Sequence, residues 1–179
     1  YFYPSVTTSF VFSNLIKKNW MTFGKFRASY GEVGNDTDPY QVFTTYATLP
    51  SFNGQPLYSN NSVFNNSELK EERSKDLEFG FEMSFFENRF GFDVSYYNRK
   101  TIDLITPISV TSATGASNVW LNGADMEKIG WDVLVNATPI KSNKFRWDVK
   151  FNYGTYESEV TRIAQGLEFI QLAGVQGGV

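Results

Sequence analysis

The chain has 179 residues, 41% hydrophobic and 17% aromatic, with 16 basic and 19 acidic side chains giving a net charge of −3. It contains no Cys and no His, which removes disulfides, thiolate nucleophiles, imidazole bases and Cys/His metal sites and makes an enzyme or a cofactor protein unexpected. The near balance of charge lacks the basic excess that binds nucleic acid, and no run approaches the ~18 apolar residues of a membrane helix.

The first predicted strand is Phe2 to Phe12, where Phe2, Pro4, Val6, Thr8, Phe10 and Phe12 share one parity and Tyr3, Ser5, Thr7 and Ser9 the other. The second, Phe23 to Glu32, sets Phe26, Ala28 and Tyr30 against Lys25, Arg27 and Ser29. A long connection, Val33 to Arg73, follows. In its segment GNDTDP, Asn35, Asp36 and Asp38 offer oxygen ligands, making Asp36 and Asp38 weak calcium candidates, although turn formation before Pro39 is the stronger reading. Loop aromatics Tyr40, Phe43, Tyr46, Phe52 and Tyr58 are candidates for contact with a substrate or partner, against the plainer role of packing the loops on one another.

The stretch DLEFGFEMSFFENRFGFDVSYYNRK predicts a tight hairpin of strands Asp76 to Phe86 and Phe90 to Asp103. Leu77, Phe79, Phe81, Met83 and Phe85 oppose Glu78, Gly80 and Glu82; Phe90, Phe92, Val94 and Tyr96 oppose Gly91, Asp93 and Ser95. A second long connection, Ile105 to Asp125, carries the loop aromatic Trp120. Strand Ala124 to Thr138 sets Ile129, Trp131, Val133 and Val135 against Lys128, Gly130, Asp132 and Asn136. Strand Phe145 to Tyr156 sets Trp147, Val149, Phe151 and Tyr153 against Arg146, Asp148, Lys150 and Asn152, and a further loop is expected after Tyr156. Matches to glycosylation acceptors at Asn35, Asn60, Asn65 and Asn136 read as loop polarity and, for Asn136, lumen lining.

About six strands emerge, joined by short turns at Ser13 to Met21, Glu87 to Arg89 and Pro139 to Lys144, and by long connections in between. Tight turns at one end and long loops at the other are the pattern of an all-β, antiparallel up-and-down transmembrane barrel. About ten residues at ~3.4 Å each, tilted near 40°, rise about 26 Å, the height of the apolar belt. Phe79, Phe81, Phe92, Val94, Trp131, Val133, Trp147 and Val149 are then expected to face lipid, and Arg27, Glu78, Glu82, Asp93, Asp132, Arg146 and Asp148 the lumen. Paired carboxylates also suit a glycosidase, but interleaved Lys25, Arg27, Lys128, Arg146 and Lys150 make a mixed-charge wetted wall the better reading. The rival of another class is a soluble β-sandwich carbohydrate-binding module, in which the Phe/Trp face is core.

The blocks YFYPSV, FGKFRASYGEVGND, LKEERSKDLEFGFEMSFFENRFGFDVSYYNRKTIDLI and NGADMEKIGWDVLVNATPIKSNKFRWDVKFNY, in that order, resemble the SusC/RagA family of TonB-dependent outer-membrane transporters. The resemblance implies a barrel of about 22 strands around a plug, to which residues 1–179 contribute part of the wall. It implies TonB-dependent import of a large nutrient, an oligosaccharide or a peptide, across a bacterial outer membrane, with a SusD-like surface lipoprotein over extracellular loops and the TonB complex acting from the periplasm. A metal-chelate or cobalamin receptor is the alternative that shares the barrel. Nothing in the chain resembles the plug, the TonB box or the N-terminal extension. The start at Tyr1 and the ending AGVQGGV, without a terminal aromatic, lead to the expectation of an interior piece.

Overall fold

The structure, a computed structural model, describes residues 2–16 and 18–164; the ending AGVQGGV lies outside the described residues. The strands are β1 (Ser5–Phe10), β2 (Met21–Asn35), β3 (Tyr46–Phe52), β4 (Gln55–Asn60), β5 (Val63–Phe64), β6 (Glu72–Phe85), β7 (Phe90–Ser109), β8 (Asn118–Lys141) and β9 (Arg146–Ile163). Helical geometry among the described residues is confined to 3₁₀ turns at Phe12–Asn14 and Ser112–Thr114. The main sheet runs β1-β2-β6-β7-β8, with β9 also paired to β8, so each predicted strand lies beside its neighbour in sequence. β1 and β2 are antiparallel, Ser5 opposite Gly31 and Phe10 opposite Phe26.

The alternation dictates this arrangement. A strand with one greasy and one charged face can pair edge to edge with others of the same kind only if all turn the same face the same way. The β6–β7 turn is tight enough that Phe86, Glu87 and Asn88 take φ of 51°, 56° and 64°, a left-handed run without glycine. The Arg89 N–H closes it on the Phe86 carbonyl at 3.2 Å.

Several boundaries differ from expectation. β1 stops at Phe10 rather than Phe12, because Phe12 enters a 3₁₀ turn and lays its ring over Gly24 and against Phe81, centroids 5.7 Å apart. β7 runs to Ser109 and β8 starts at Asn118, so most of the expected loop Ile105 to Asp125 is strand, and Trp120 lies on β8 rather than in a loop. β9 likewise continues past Tyr156 to Ile163. The expected loop Val33 to Arg73 contains the separate antiparallel hairpin β3–β4, turning at Asn53-Gly54, and the two-residue β5, which pairs parallel to β8 through Val63 and Asn118. Ladder hydrogen bonds, which composition does not display, extend the strands through Thr-, Ser- and Pro-containing sequence.

The chain divides into two compact units. Unit 1 comprises Tyr1–Val33, Ser74–Lys100 and Glu127–Glu159; unit 2 comprises Gly34–Arg73, Thr101–Met126 and Val160–Val179. Unit 1 is a single layer. Trp131 is 48% exposed and Phe151 60%, and among the described residues no large side chain is fully buried. A soluble sandwich requires a second sheet about 10 Å above the aromatic face; among the described residues none packs there.

Candidate functional site

The polar face of unit 1 centres on Arg27 of β2. Its Nη1 donates to Asp93 Oδ2 at 3.0 Å and its Nη2 to Asp93 Oδ1 at 2.9 Å and to Ser95 Oγ at 3.1 Å. Asp93 and Ser95 are on β7, so the guanidinium crosses the whole of β6. It does so at Gly80, where a Cβ would stand 2.6 Å from Nη2 and 2.7 Å from Nε. A glycine inside a strand has this use, the close approach of another group. Glu82 completes the cluster, 2.8 Å from Lys25 and 3.5 Å from Arg27.

Glycines on the neighbouring strands repeat the device. Tyr97 lies over Gly130, Asp132 against Gly154, and Asn136 against Gly91. A basin of about 520 Å³ opens beside them, lined by hydroxyls of Ser5, Thr7 and Ser29 and by Glu78, Arg99 and Asp132. Arg99 Nε donates to Asp76 Oδ1 at 2.6 Å. Arg146 Nε pairs with Asp148 at 2.8 Å, and Asp148 accepts from Thr138 Oγ1 at 2.7 Å. The seven residues expected on one face therefore divide into the Arg27–Glu82–Asp93 cluster, the basin residues Glu78 and Asp132, and the separate pair Arg146–Asp148.

The opposite face is a connected apolar surface. Phe26 stacks on Phe79 at 6.3 Å between centroids, Phe81 meets Phe92 at 6.0 Å, and Tyr96 meets Trp131 at 4.9 Å. A hollow of about 250 Å³ among Phe26, Phe79, Phe81, Val94, Tyr96 and Trp131 confirms that they share it. Val133 continues the parity of Trp131 on β8, and Trp147 and Val149, 51% and 39% exposed, continue the pattern on β9.

Unit 2 holds two polar clusters. Arg162 Nε donates to Asp125 Oδ2 at 2.6 Å, and its Nη2 donates to Asp125 Oδ1 and to Asp103 Oδ1, each at 2.9 Å. Asp103, at φ 57°, donates its N–H to Asp125 Oδ1 at 2.9 Å. These bonds, that from Arg162 first, hold the Asp125 carboxyl below its ordinary pKa against a smaller opposing effect of burial. Asn122 joins this region to the 34–73 segment, donating to the carbonyls of Lys70 at 2.9 Å and Asp103 at 2.8 Å.

The second cluster fixes the loop that precedes β3. Asn65 Nδ2 donates to the Tyr40 carbonyl at 3.1 Å and to that of Phe43, while Asn61 Nδ2 donates to Thr45 Oγ1 at 2.7 Å. Asn66 Nδ2 reaches the Trp120 carbonyl at 3.2 Å. Asn65 is thus a pin rather than mere loop polarity. Tyr40, Tyr46, Phe52 and Tyr58 are 73%, 61%, 67% and 64% exposed, and the register makes Tyr46 and Tyr58 diagonal neighbours on one face of the hairpin. Asp36 Oδ1 accepts from the Thr37 N–H at 2.8 Å, a local side-chain-to-backbone bond, and the turn itself begins at Pro39. Among the described residues no three metal-ligating side chains gather.

The Gly80 slot and the Asn pins were not anticipated. An isolated Gly on the charged parity of β6 was the signal for the first, and the Asn-rich run from Asn60 to Asn66 for the second.

Comparison with known proteins places this geometry. A family profile described as TonB dependent receptor-like, beta-barrel matches residues 1–174. TonB-dependent receptor P3 of Formosa agariphila is 29% identical over 171 residues, 92% of this chain and 17% of that protein. TonB-dependent receptor SusC of Bacteroides thetaiotaomicron is 28% identical over 130 residues, 71% of this chain and 13% of that protein. The chain spans less than a fifth of the length of these relatives. The RagAB peptide importer in its closed-closed state superposes with a TM-score of 0.86 over 96% of this chain and 19% of its own, at 22% identity, a likeness of fold. The chain belongs to the TonB-dependent receptor-like β-barrel family, and within it resembles the SusC/RagA type.

Proposed function

We propose that this chain is a sector of the wall of an outer-membrane, TonB-dependent importer of a large nutrient, an oligosaccharide or a peptide. The observation that carries the reading is the two-faced single layer: aromatic stacks uncovered on one side, ion pairs and hydroxyls on the other. In a bilayer the first side meets hydrocarbon and the second a wetted lumen, while closure of the ladder satisfies backbone groups that would otherwise cost several kcal/mol each. Short turns are then periplasmic and unit 2 belongs to the extracellular loops. The residues expected to face lipid and lumen take those roles, and the wall itself performs no bond chemistry.

A SusD-like lipoprotein is the proposed partner, its footprint including part of 33–73 or 105–125. Support comes from the β3–β4 hairpin, which carries Tyr46, Phe52 and Tyr58 exposed; a two-stranded ribbon is marginal in water by itself and gains from a covering surface. The TonB complex acts through parts of the protein outside this chain.

Cells lacking the intact protein should lose uptake of a labelled oligosaccharide or peptide pool, and a protonophore should abolish the uptake that the restored protein supports. Loss only of cobalamin or a ferric chelate would overturn the nutrient assignment. A complex with the lipoprotein in which neither loop approaches it would overturn the footprint.

A further inference from the structure

At the short-turn end of unit 1, Lys18, Arg89, Lys141 and Lys144 are all exposed, and none has an ion-pair partner among the described residues. This contrasts with the strand cations Lys25, Arg27, Arg99 and Arg146, each held by a carboxylate. Glu87 is the lone acid within these turns, in a chain whose net charge is −3. The cations therefore concentrate against the overall balance.

Beside them is an aromatic ledge. Trp20, Phe86 and Phe145 are 48%, 59% and 58% exposed. Trp20 stacks on Phe85 at 5.7 Å, Phe85 meets Phe86 at 6.4 Å, and the Phe86 N–H donates to the Trp20 carbonyl at 3.0 Å, so the first and second turns are tied together. The Thr138 N–H donates to the Arg89 carbonyl at 2.6 Å, tying the second turn to β8 as it approaches the third. Exposed cations without carboxylate partners, in turns that also carry exposed aromatic rings, match the chemistry of an anionic bilayer surface: rings at headgroup depth, ammonium and guanidinium groups on phosphate oxygens.

We propose that the short-turn end is a binding site for the phosphodiester headgroups of anionic phospholipid, held by Lys18, Arg89, Lys141 and Lys144 over Trp20, Phe86 and Phe145. This inference rests on the proposed reading of the aromatic face as lipid-facing. Headgroups there would fix the depth of the wall in the membrane.

The complete barrel is placed in phosphatidylcholine bilayers with a fluorophore on Asn19→Cys, between Lys18 and Trp20, and in a separate sample on Val133→Cys. The Asn19 label is quenched by phosphatidylglycerol or phosphatidylcholine bearing a doxyl group near the headgroup, and the Val133 label by the same two lipids bearing the doxyl group deep in the acyl chain. At Asn19 the phosphatidylglycerol quencher should act at a mole fraction about fivefold lower, the worth of one basic residue at such a surface. The preference should vanish in 1 M salt, where screening acts within about 3 Å, and in the variant K18Q/R89Q/K141Q/K144Q; the milder R89Q/K144Q should reduce it. Equal quenching by the two lipids at Asn19, or a preference that survives salt and all four substitutions, overturns the inference while quenching at Val133 leaves the lipid-facing reading intact. No quenching by either lipid at Val133 overturns that reading and the inference with it.

Discussion

Gly80→Ala gives a test whose sign depends on another residue. The new methyl would stand 2.6 to 2.8 Å from Nη2, Nε and Cζ of Arg27, so the guanidinium must lift off β6 and give up its paired bonds to Asp93 at 2.9 and 3.0 Å. The two side chains are 29% and 28% exposed, between the buried charge-assisted case, roughly 1.5–3 kcal/mol, and the exposed one, roughly 0.2–1 kcal/mol. A loss of about 1.5 kcal/mol is the working value. Replacing Gly by Ala inside a strand returns roughly 0.5–1 kcal/mol of backbone entropy. The net cost in the native background is therefore about 0.5–1 kcal/mol. With Arg27→Ala already present the clash and the bonds are gone, and the same substitution should stabilise by about 0.5–1 kcal/mol. Guanidinium titrations of the complete barrel folding into phospholipid vesicles, on the four members of the cycle, give both numbers. An equal cost in the two backgrounds would refute the claim that Gly80 exists to let Arg27 cross.

Other consequences follow from the two faces and from unit 2. Val133→Arg should cost about 2–4 kcal/mol if the site lies near the bilayer midplane. Asp132→Asn should cost much less, because Lys128 sits 3.9 Å over the Tyr156 ring and Arg146 is engaged by Asp148, leaving neither to hold Asp132; the vesicle titration compares the two. Since Arg162 lowers the folded-state pKa of Asp125, its contribution to stability is fully present above the ordinary carboxylate value and disappears as pH falls below about 4 through the folded value. Hydrogen exchange around Asp103 and Ile105 should thus be equally protected at pH 7 and 5, with opening only below about 4, and Asp125→Asn should erase the transition. Loss of protection already above pH 5 would contradict it. Asn65→Ala removes the side-chain donor to the Tyr40 and Phe43 carbonyls and leaves Tyr40 only the Phe43 N–H at 3.3 Å, and limited proteolysis should then cut residues 39–45 faster while leaving β6–β7 intact.

Most of unit 1 was legible because its strands alternate, with Leu134 on β8 an exception: from Leu77 to Phe85 every second residue is large and apolar, and one parity choice fixes both faces. The shared face of Arg27, Glu82 and Asp93 followed from that parity alone. Their mutual bonds did not, because which carboxylate a guanidinium reaches depends on a gap in the strand between them. The extension of β7 through Thr106-Pro107-Ile108-Ser109 was illegible for a different reason: Pro107 and Ser109 read as the end of a strand, and the pairing partner near Ser117 kept it extended. The hairpin Tyr46 to Asn60 carried a readable signal, Asn53-Gly54 between apolar runs, which the mixed polar composition of the long connection obscured. Asp103 and Arg162 are 59 residues apart, a separation that hides their contact from any local pattern.

Whether β8 belongs to a barrel wall is decided by the environment that each of its faces meets. Spin labels placed one at a time at Trp131, Asp132, Val133, Val135 and Asn136 in the complete barrel, read for collision with oxygen and with a water-soluble nickel chelate, measure this directly. Labels at Trp131, Val133 and Val135 should favour oxygen and those at Asp132 and Asn136 the chelate, in strict alternation. A profile that does not alternate, or one that admits the chelate at Val133 as freely as at Asp132, would contradict the wall.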